Sequence, residues 1–173
     1  MKNVTVAFVG LLALAGGARA EDPCDGFAWN VKAERALFAQ PAKSVAAAVE
    51  PSAAPLIEMG AAYALMLADQ DRVHFGAGPG KQSLPDGAHA GLAKASIAKA
   101  GRYRVSLDAP AWIDVVTGGQ LVPSRAFQGR AGCNAPHKVV EFELPAGDAL
   151  LQVSGSLPER VRITVTESPA DTR

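Results

Sequence analysis

Gly101-Arg102-Tyr103-Arg104-Val105-Ser106-Leu107 decides the fold. Tyr103, Val105 and Leu107 alternate with Arg102, Arg104 and Ser106, the period-two pattern of a strand with one apolar and one polar face. The pattern recurs downstream. Val140, Phe142 and Leu144 alternate with Glu141 and Glu143, and Val161, Ile163 and Val165 alternate with Arg162, Thr164 and Thr166. Upstream, Tyr63, Leu65 and Leu67 alternate with Ala62, Ala64 and Met66, and Arg72 to Phe75 is expected to return as a short strand after the turn Asp69-Gln70-Asp71. Residues 88–97, 112–116 and 150–154 complete the set. The punctuation comes from the Gly- and Pro-rich stretch 76–87, Pro110, Gly118-Gly119 and Pro145 to Asp148. About eight short strands at such spacing predict an all-β domain over residues 59–167, a jelly-roll-like antiparallel β-sandwich.

The flanks differ in composition. Residues 30–40 predict one short N-terminal helix, with Asn30 as N-cap, Leu37 and Phe38 on one side and Pro41 beyond its end. Residues 41–58 are Ala-rich with Pro51 and Pro55 and predict a linking segment with one extended piece at 43–49. Residues 168–173 are a polar tail. The first 20 residues have a different character: Lys2, then an uncharged apolar run from Val4 to Ala15, then Ala18-Arg19-Ala20. That order is the grammar of a secretory signal peptide cleaved after Ala20, and the run is too short for an ordinary membrane-spanning helix. A periplasmic or secreted protein is expected, starting at Glu21, with no transmembrane segment.

Without Lys2 and Arg19, the 17 basic residues become 15 against 17 acidic ones, a formal net charge of −2. No basic stripe appears, so nucleic acid is not an expected partner. Two cysteines remain, Cys24 and Cys133. In an exported chain they are expected to form a disulfide. The alternative, a metal or redox pair, has no CxxC and no His within a few residues of Cys24 to support it.

No catalytic constellation emerges. Gly76 to Lys81 lacks the spacing of a phosphate-binding loop, since position 75 is Phe and position 82 is Gln. Ser154 has Gly on one side only, unlike a nucleophile elbow. The three histidines, His74, His89 and His137, show no metal-ligand spacing, although a loop at 76–87 can bring His74 near His89, with Glu141 or Asp114 as a carboxylate partner. Trp112-Ile113-Asp114 is the more informative group. Alternation puts Trp112 and Asp114 on one face, which makes either a ligand- or sugar-binding platform or an ordinary packing Trp beside a capping Asp.

Two resemblances follow. The strand segments at 101–107, 111–116, 139–144 and 151–155, with the turn Pro145-Ala146-Gly147, resemble bacterial pre-peptidase C-terminal (PPC-type) domains over residues 60–166. That implies a β-sandwich with a binding or secretion role, here expected without an attached enzyme. The start Cys24-Asp25-Gly26-Phe27-Ala28-Trp29, with Ala111 to Val116 and the late Cys133, resembles a family of small exported bacterial proteins. Some of its members carry the label homogentisate 1,2-dioxygenase. That label implies a cupin-like iron site of two His and a Glu; the cupin HxH…E motif is absent from the chain, so no catalytic residue carries over. The expectation is a non-enzymatic module binding a small ligand, glycan or envelope protein, with no cofactor. The alternatives are a metal-dependent oxygenase or hydrolase and a purely structural envelope protein.

Overall fold

The alternating segments pair into two sheets in a computed structural model that describes residues 22–169. The expected signal peptide, Glu21 and residues 170–173 of the tail lie outside the described residues. The strands are β1 (Lys43–Ala46), β2 (Leu56–Ile57), β3 (Ala62–Met66), β4 (Ala68–Asp69), β5 (His89–Ile97), β6 (Gly101–Leu107), β7 (Trp112–Thr117), β8 (Gln120–Leu121), β9 (Ser124–Gly129), β10 (Lys138–Leu144), β11 (Gly147–Ser156) and β12 (Arg160–Glu167). One sheet has the order β1-β3-β12-β6-β10-β9; the other has β2-β5-β11-β7-β8, with β4 also on β5. The fold is an all-β sandwich. Its sheets are mixed rather than wholly antiparallel: β1 runs parallel to β3 and β2 parallel to β5. Residues 41–58 therefore do more than link, since they place a parallel strand in each sheet.

The apolar sets identified by alternation meet between the sheets. Tyr103, Val105 and Leu107 pack with Val140, Phe142 and Leu144, with Val161, Ile163 and Val165, and with Ile113, Val115, Leu151 and Val153 from the facing sheet. Burial of these side chains, each worth about 1.5–3 kcal/mol, drives the pairing.

The outer faces are covered as well. Over the β6–β10–β12 face lies the N-terminal segment, with a 3-10 turn at Pro23–Gly26 and the helix α1 (Lys32–Phe38). The helix is shorter than expected. The N-cap is Val31, which has no side-chain cap, rather than the expected Asn30; Asn30 stands one residue earlier, where its Oδ1 accepts from Lys32 N–H at 3.1 Å. Over the β5–β11–β7 face lie residues 47–54 and 73–80, which bury Val73 against Ala90, Leu92, Val116 and Leu150. The strand expected at 72–75 does not form. Gln70–Arg72 is a 3-10 turn, and Val73 is drawn onto this outer apolar face instead.

Covering a polar face forces its charges to pair. Arg104, 7% exposed, sits under the N-terminal segment. Its Nη1 donates to Asn30 O at 3.0 Å and lies 3.6 Å from Glu34 Oε1; its Nε lies 3.4 Å from Glu141 Oε2; Trp29 stacks on the guanidinium. Thr166 Oγ1 donates to Glu34 Oε1 at 3.1 Å, and Ser168 Oγ donates to Glu141. The Cys24–Cys133 disulfide anchors the same segment to the β9–β10 loop across a separation of 109 residues. A closed loop of that length contributes roughly 4–5 kcal/mol in the chain-entropy account.

Arg104→Met removes the cation nearest the buried Glu34 and, among the described residues, leaves Glu141 with Arg102 alone as a cation, at 4.0 Å. The expected loss is about 3–5 kcal/mol, read by urea denaturation of the disulfide-intact protein; a loss under about 1 kcal/mol would refute the role given to this pair of bridges.

Candidate functional site

The sandwich gathers its loops at one end. There β6 ends, β7 begins, β9 ends, β10 begins and β11 ends. Trp112 starts β7 on the outer side of its sheet, opposite Ser154 of β11. Its indole is fixed, because Trp112 Nε1 donates to Asp114 Oδ1 at 2.9 Å. The other carboxylate oxygen, Asp114 Oδ2, accepts from Gly80 N–H at 3.0 Å. The two residues share a face, as alternation predicted. Asp114 is 9% exposed and both its oxygens are engaged within the chain, so its observed contacts position Trp112 and the loop.

The loop 76–87 lies on the sheet because its backbone finds acceptors and a donor there. Gln152 on β11 is fully buried. Its Oε1 accepts from Gly76 N–H at 2.7 Å and Ala77 N–H at 3.2 Å, and its Nε2 donates to Ala77 O at 3.0 Å. Gly80 must be glycine for the loop to close this far: a Cβ there would stand 2.9 Å from Asp114 Oδ1. The next residue, Lys81, is exposed, and its ammonium lies 5.9 Å from the Trp112 ring centre.

A second ammonium arrives from the other sheet. Lys138 opens β10 on the same side as Val140 and Phe142, facing inward. Its Nζ lies 4.8 Å from the Trp112 ring centre and donates to Ala111 O at 3.0 Å. Burial holds the Lys138 amine below the usual lysine range. The positive charge of Lys81 pushes the same way, and Asp114 opposes them. Among the described residues neither ammonium has a carboxylate at ion-pair distance.

Around this group opens a cleft of about 510 Å³, lined also by Leu84, Pro85, Phe127, His137 and Leu157. Phe127 is 70% exposed and Leu157 64%. His137 Nδ1 donates to Cys133 O at 3.0 Å, which leaves its Nε2 as the free ring nitrogen. On the far side of Trp112 a smaller hollow of about 300 Å³ runs to Leu121 and Pro123. Ligand sites in folded domains have this size and this mixture of apolar walls with few polar groups.

The structure keeps the three histidines apart. His74 pairs with Glu50 beside the 73–80 segment, and His89 Nε2 lies 3.8 Å from both Asp69 and Glu159. His137 lines the Trp112 cleft. Among the described residues no three His, Cys, Asp or Glu side chains are placed to hold a metal ion. The sequence reading passed over Lys81, Lys138, Phe127 and Leu157. Lys138 had a visible signal, since extending the apolar stripe Leu144-Phe142-Val140 by two residues lands on it. Nothing local connects Lys81 or Leu157 with Trp112.

No known family model matches the chain, and no curated protein matches it in sequence.

Lys138→Met keeps the apolar stem and removes the buried ammonium. A lysine whose amine titrates lower in the folded than in the unfolded chain costs stability at neutral pH, and the cost fades as pH rises through the lysine range. The variant is therefore expected to unfold at a slightly higher temperature than wild type at pH 7, with the gap closing toward pH 10.5. Melting curves across that range check it, and a variant less stable at pH 7 refutes it.

Proposed function

We propose that this is an exported, non-enzymatic β-sandwich that binds a small ligand in the Trp112 cleft, working in the periplasm or outside the cell. One observation carries the reading. A tryptophan is locked in place by a buried carboxylate at the loop end of the sandwich, beside a cleft of ligand size with two exposed apolar side chains on its rim. Trp packed only for stability is covered, whereas this one borders open space on two sides.

Other features agree. The Cys24–Cys133 disulfide fits an oxidising compartment, as do the signal-peptide features of residues 1–20. Among the described residues no helix is long and apolar enough to cross a membrane. A sandwich with loops gathered at one end is an arrangement in which binding residues come from loops positioned by a scaffold.

A panel of neutral oligosaccharides, acidic oligosaccharides and amphiphilic carboxylates, scored by thermal shift, tests the proposal. At a concentration about a hundredfold above Kd, a true ligand stabilises wild type by about 2.7 kcal/mol. Trp112→Ala, checked for folding by circular dichroism, is expected to abolish that shift. A ligand that shifts Trp112→Ala as much as wild type would place binding elsewhere and overturn the reading.

A further inference from the structure

We infer that the Trp112 cleft selects an amphiphilic anion, a small molecule with one anionic group and an apolar body, clamped by Lys81 and Lys138. The inference rests on the cleft being a binding site and names what it takes.

The charge carries the choice. Two ammonium groups approach one indole, at 5.9 and 4.8 Å from its ring centre, with no carboxylate at ion-pair distance from either among the described residues. They come from unrelated places, one from the 76–87 loop and one from the inward face of β10, so the pair is not a by-product of one polar face. Burial of Lys138 and the repulsion of Lys81 disfavour its ammonium more than the charge of Asp114 favours it, as its lowered titration reflects. An anion seated between them would remove both penalties and form charge-assisted hydrogen bonds to each. A neutral sugar would do neither, and it would have to compete with the ammonium groups for the indole faces.

The walls carry the second half. Beyond the lysines the cleft is bounded by Leu84, Pro85, Phe127 and Leu157, and Phe127 and Leu157 are the two most exposed large apolar side chains among the described residues. Their exposure is costly in water and is relieved by an apolar body lying along them. A cationic end paired with an apolar rim fits a molecule that is anionic at one end and apolar at the other.

The test is isothermal titration of the full mature protein with decanoate, its neutral counterpart decanol, and decyltrimethylammonium, all below micelle-forming concentrations. Decanoate is expected to bind at 1:1, at least tenfold more tightly than decanol, with the cationic amphiphile weaker still. Lys81→Met with Lys138→Met should weaken decanoate at least tenfold and bring it level with decanol. Lys99→Met, which removes a surface lysine paired with Glu167, should change nothing. Decanoate affinity should also fall as pH rises toward the lysine range.

Equal binding of decanoate and decanol, abolished by Trp112→Ala, would overturn the anion preference while leaving the cleft as a ligand site. Binding of decanoate that Trp112→Ala does not reduce would overturn both. No heat with any of the three probes overturns the inference. So does lysine-dependent sedimentation with phosphatidylglycerol vesicles in the absence of decanoate binding, because the partner is then a lipid surface rather than a free amphiphile.

Discussion

The loop end depends on what the backbone N–H groups of residues 76, 77 and 80 find beneath them. A chain segment laid across a sheet face gives up water, and each buried amide without an acceptor costs on the order of 1–3 kcal/mol. Gln152 and Asp114 supply the acceptors from the outer face of the sheet, and Gln152 returns a donor to Ala77 O. Residue 80 then has to come so near the Asp114 carboxylate that only a hydrogen fits where a side chain would be. Lys81, the next residue, leaves the loop from that anchored point, with its exposed ammonium 5.9 Å from the Trp112 ring centre. The same Asp114 fixes the indole. One buried carboxylate therefore aligns the ring and anchors the loop that carries Lys81.

Both sheets are more buried than a simple two-layer sandwich requires. The outer face of one carries Leu92, Val116 and Leu150 and is covered by residues 47–54 and 73–80. The outer face of the other carries Arg104, Glu141, Thr164 and Thr166 and is covered by the N-terminal segment. The chemistry of each cover follows from the face it lies on. The apolar face takes apolar cover, with Gln152 and Asp114 pinning the backbone. The polar face takes Glu34 and Trp29, which surround Arg104. A buried ion pair adds little net stability but penalises misplacement heavily, so the Arg104 cluster sets where the helix docks, and the disulfide keeps it from leaving.

Alternation made most of the sandwich legible. Tyr103-Val105-Leu107, Val140-Phe142-Leu144 and Val161-Ile163-Val165 are the inner faces of adjacent strands because period two is a direct consequence of strand geometry. The elements that escaped notice lack that contrast. Ser124–Gly129 reads Ser-Arg-Ala-Phe-Gln-Gly and forms an edge strand through its pairing with β10, and Leu56–Ile57 joins its sheet as a two-residue parallel strand set by a distant partner; Lys43–Ala46 falls in the extended piece expected at 43–49, but nothing local names β3 as its parallel partner. Alternation also misjudged the polar faces, where Arg104 and Glu141 read as solvated; what covers them lies more than 60 residues away in sequence. The site shows the same division. Trp112 and Asp114 stand two apart on one strand and were readable as a pair, whereas Lys81 reaches them only through hydrogen bonds spanning 34 and 75 residues.

Lys138 shows why the cleft is more than a gap between loops. It occupies the position on β10 that continues the apolar stripe, where a leucine or methionine would extend the core at no electrostatic cost. An ammonium there is partly desolvated and faces a second cation, and against these it has a carbonyl, an aromatic ring and the more distant charge of Asp114, which together leave its amine below the usual lysine range. Core packing does not require that choice of residue, since the apolar stem alone would pack as well. Groups whose ionisation is opposed by their surroundings concentrate at functional sites, where a ligand completes what the protein leaves uncompensated. The positive charge is held at the mouth of the cleft, against the indole, by elements from both sheets, and an anion is the simplest species that turns this unfavourable arrangement into a favourable one.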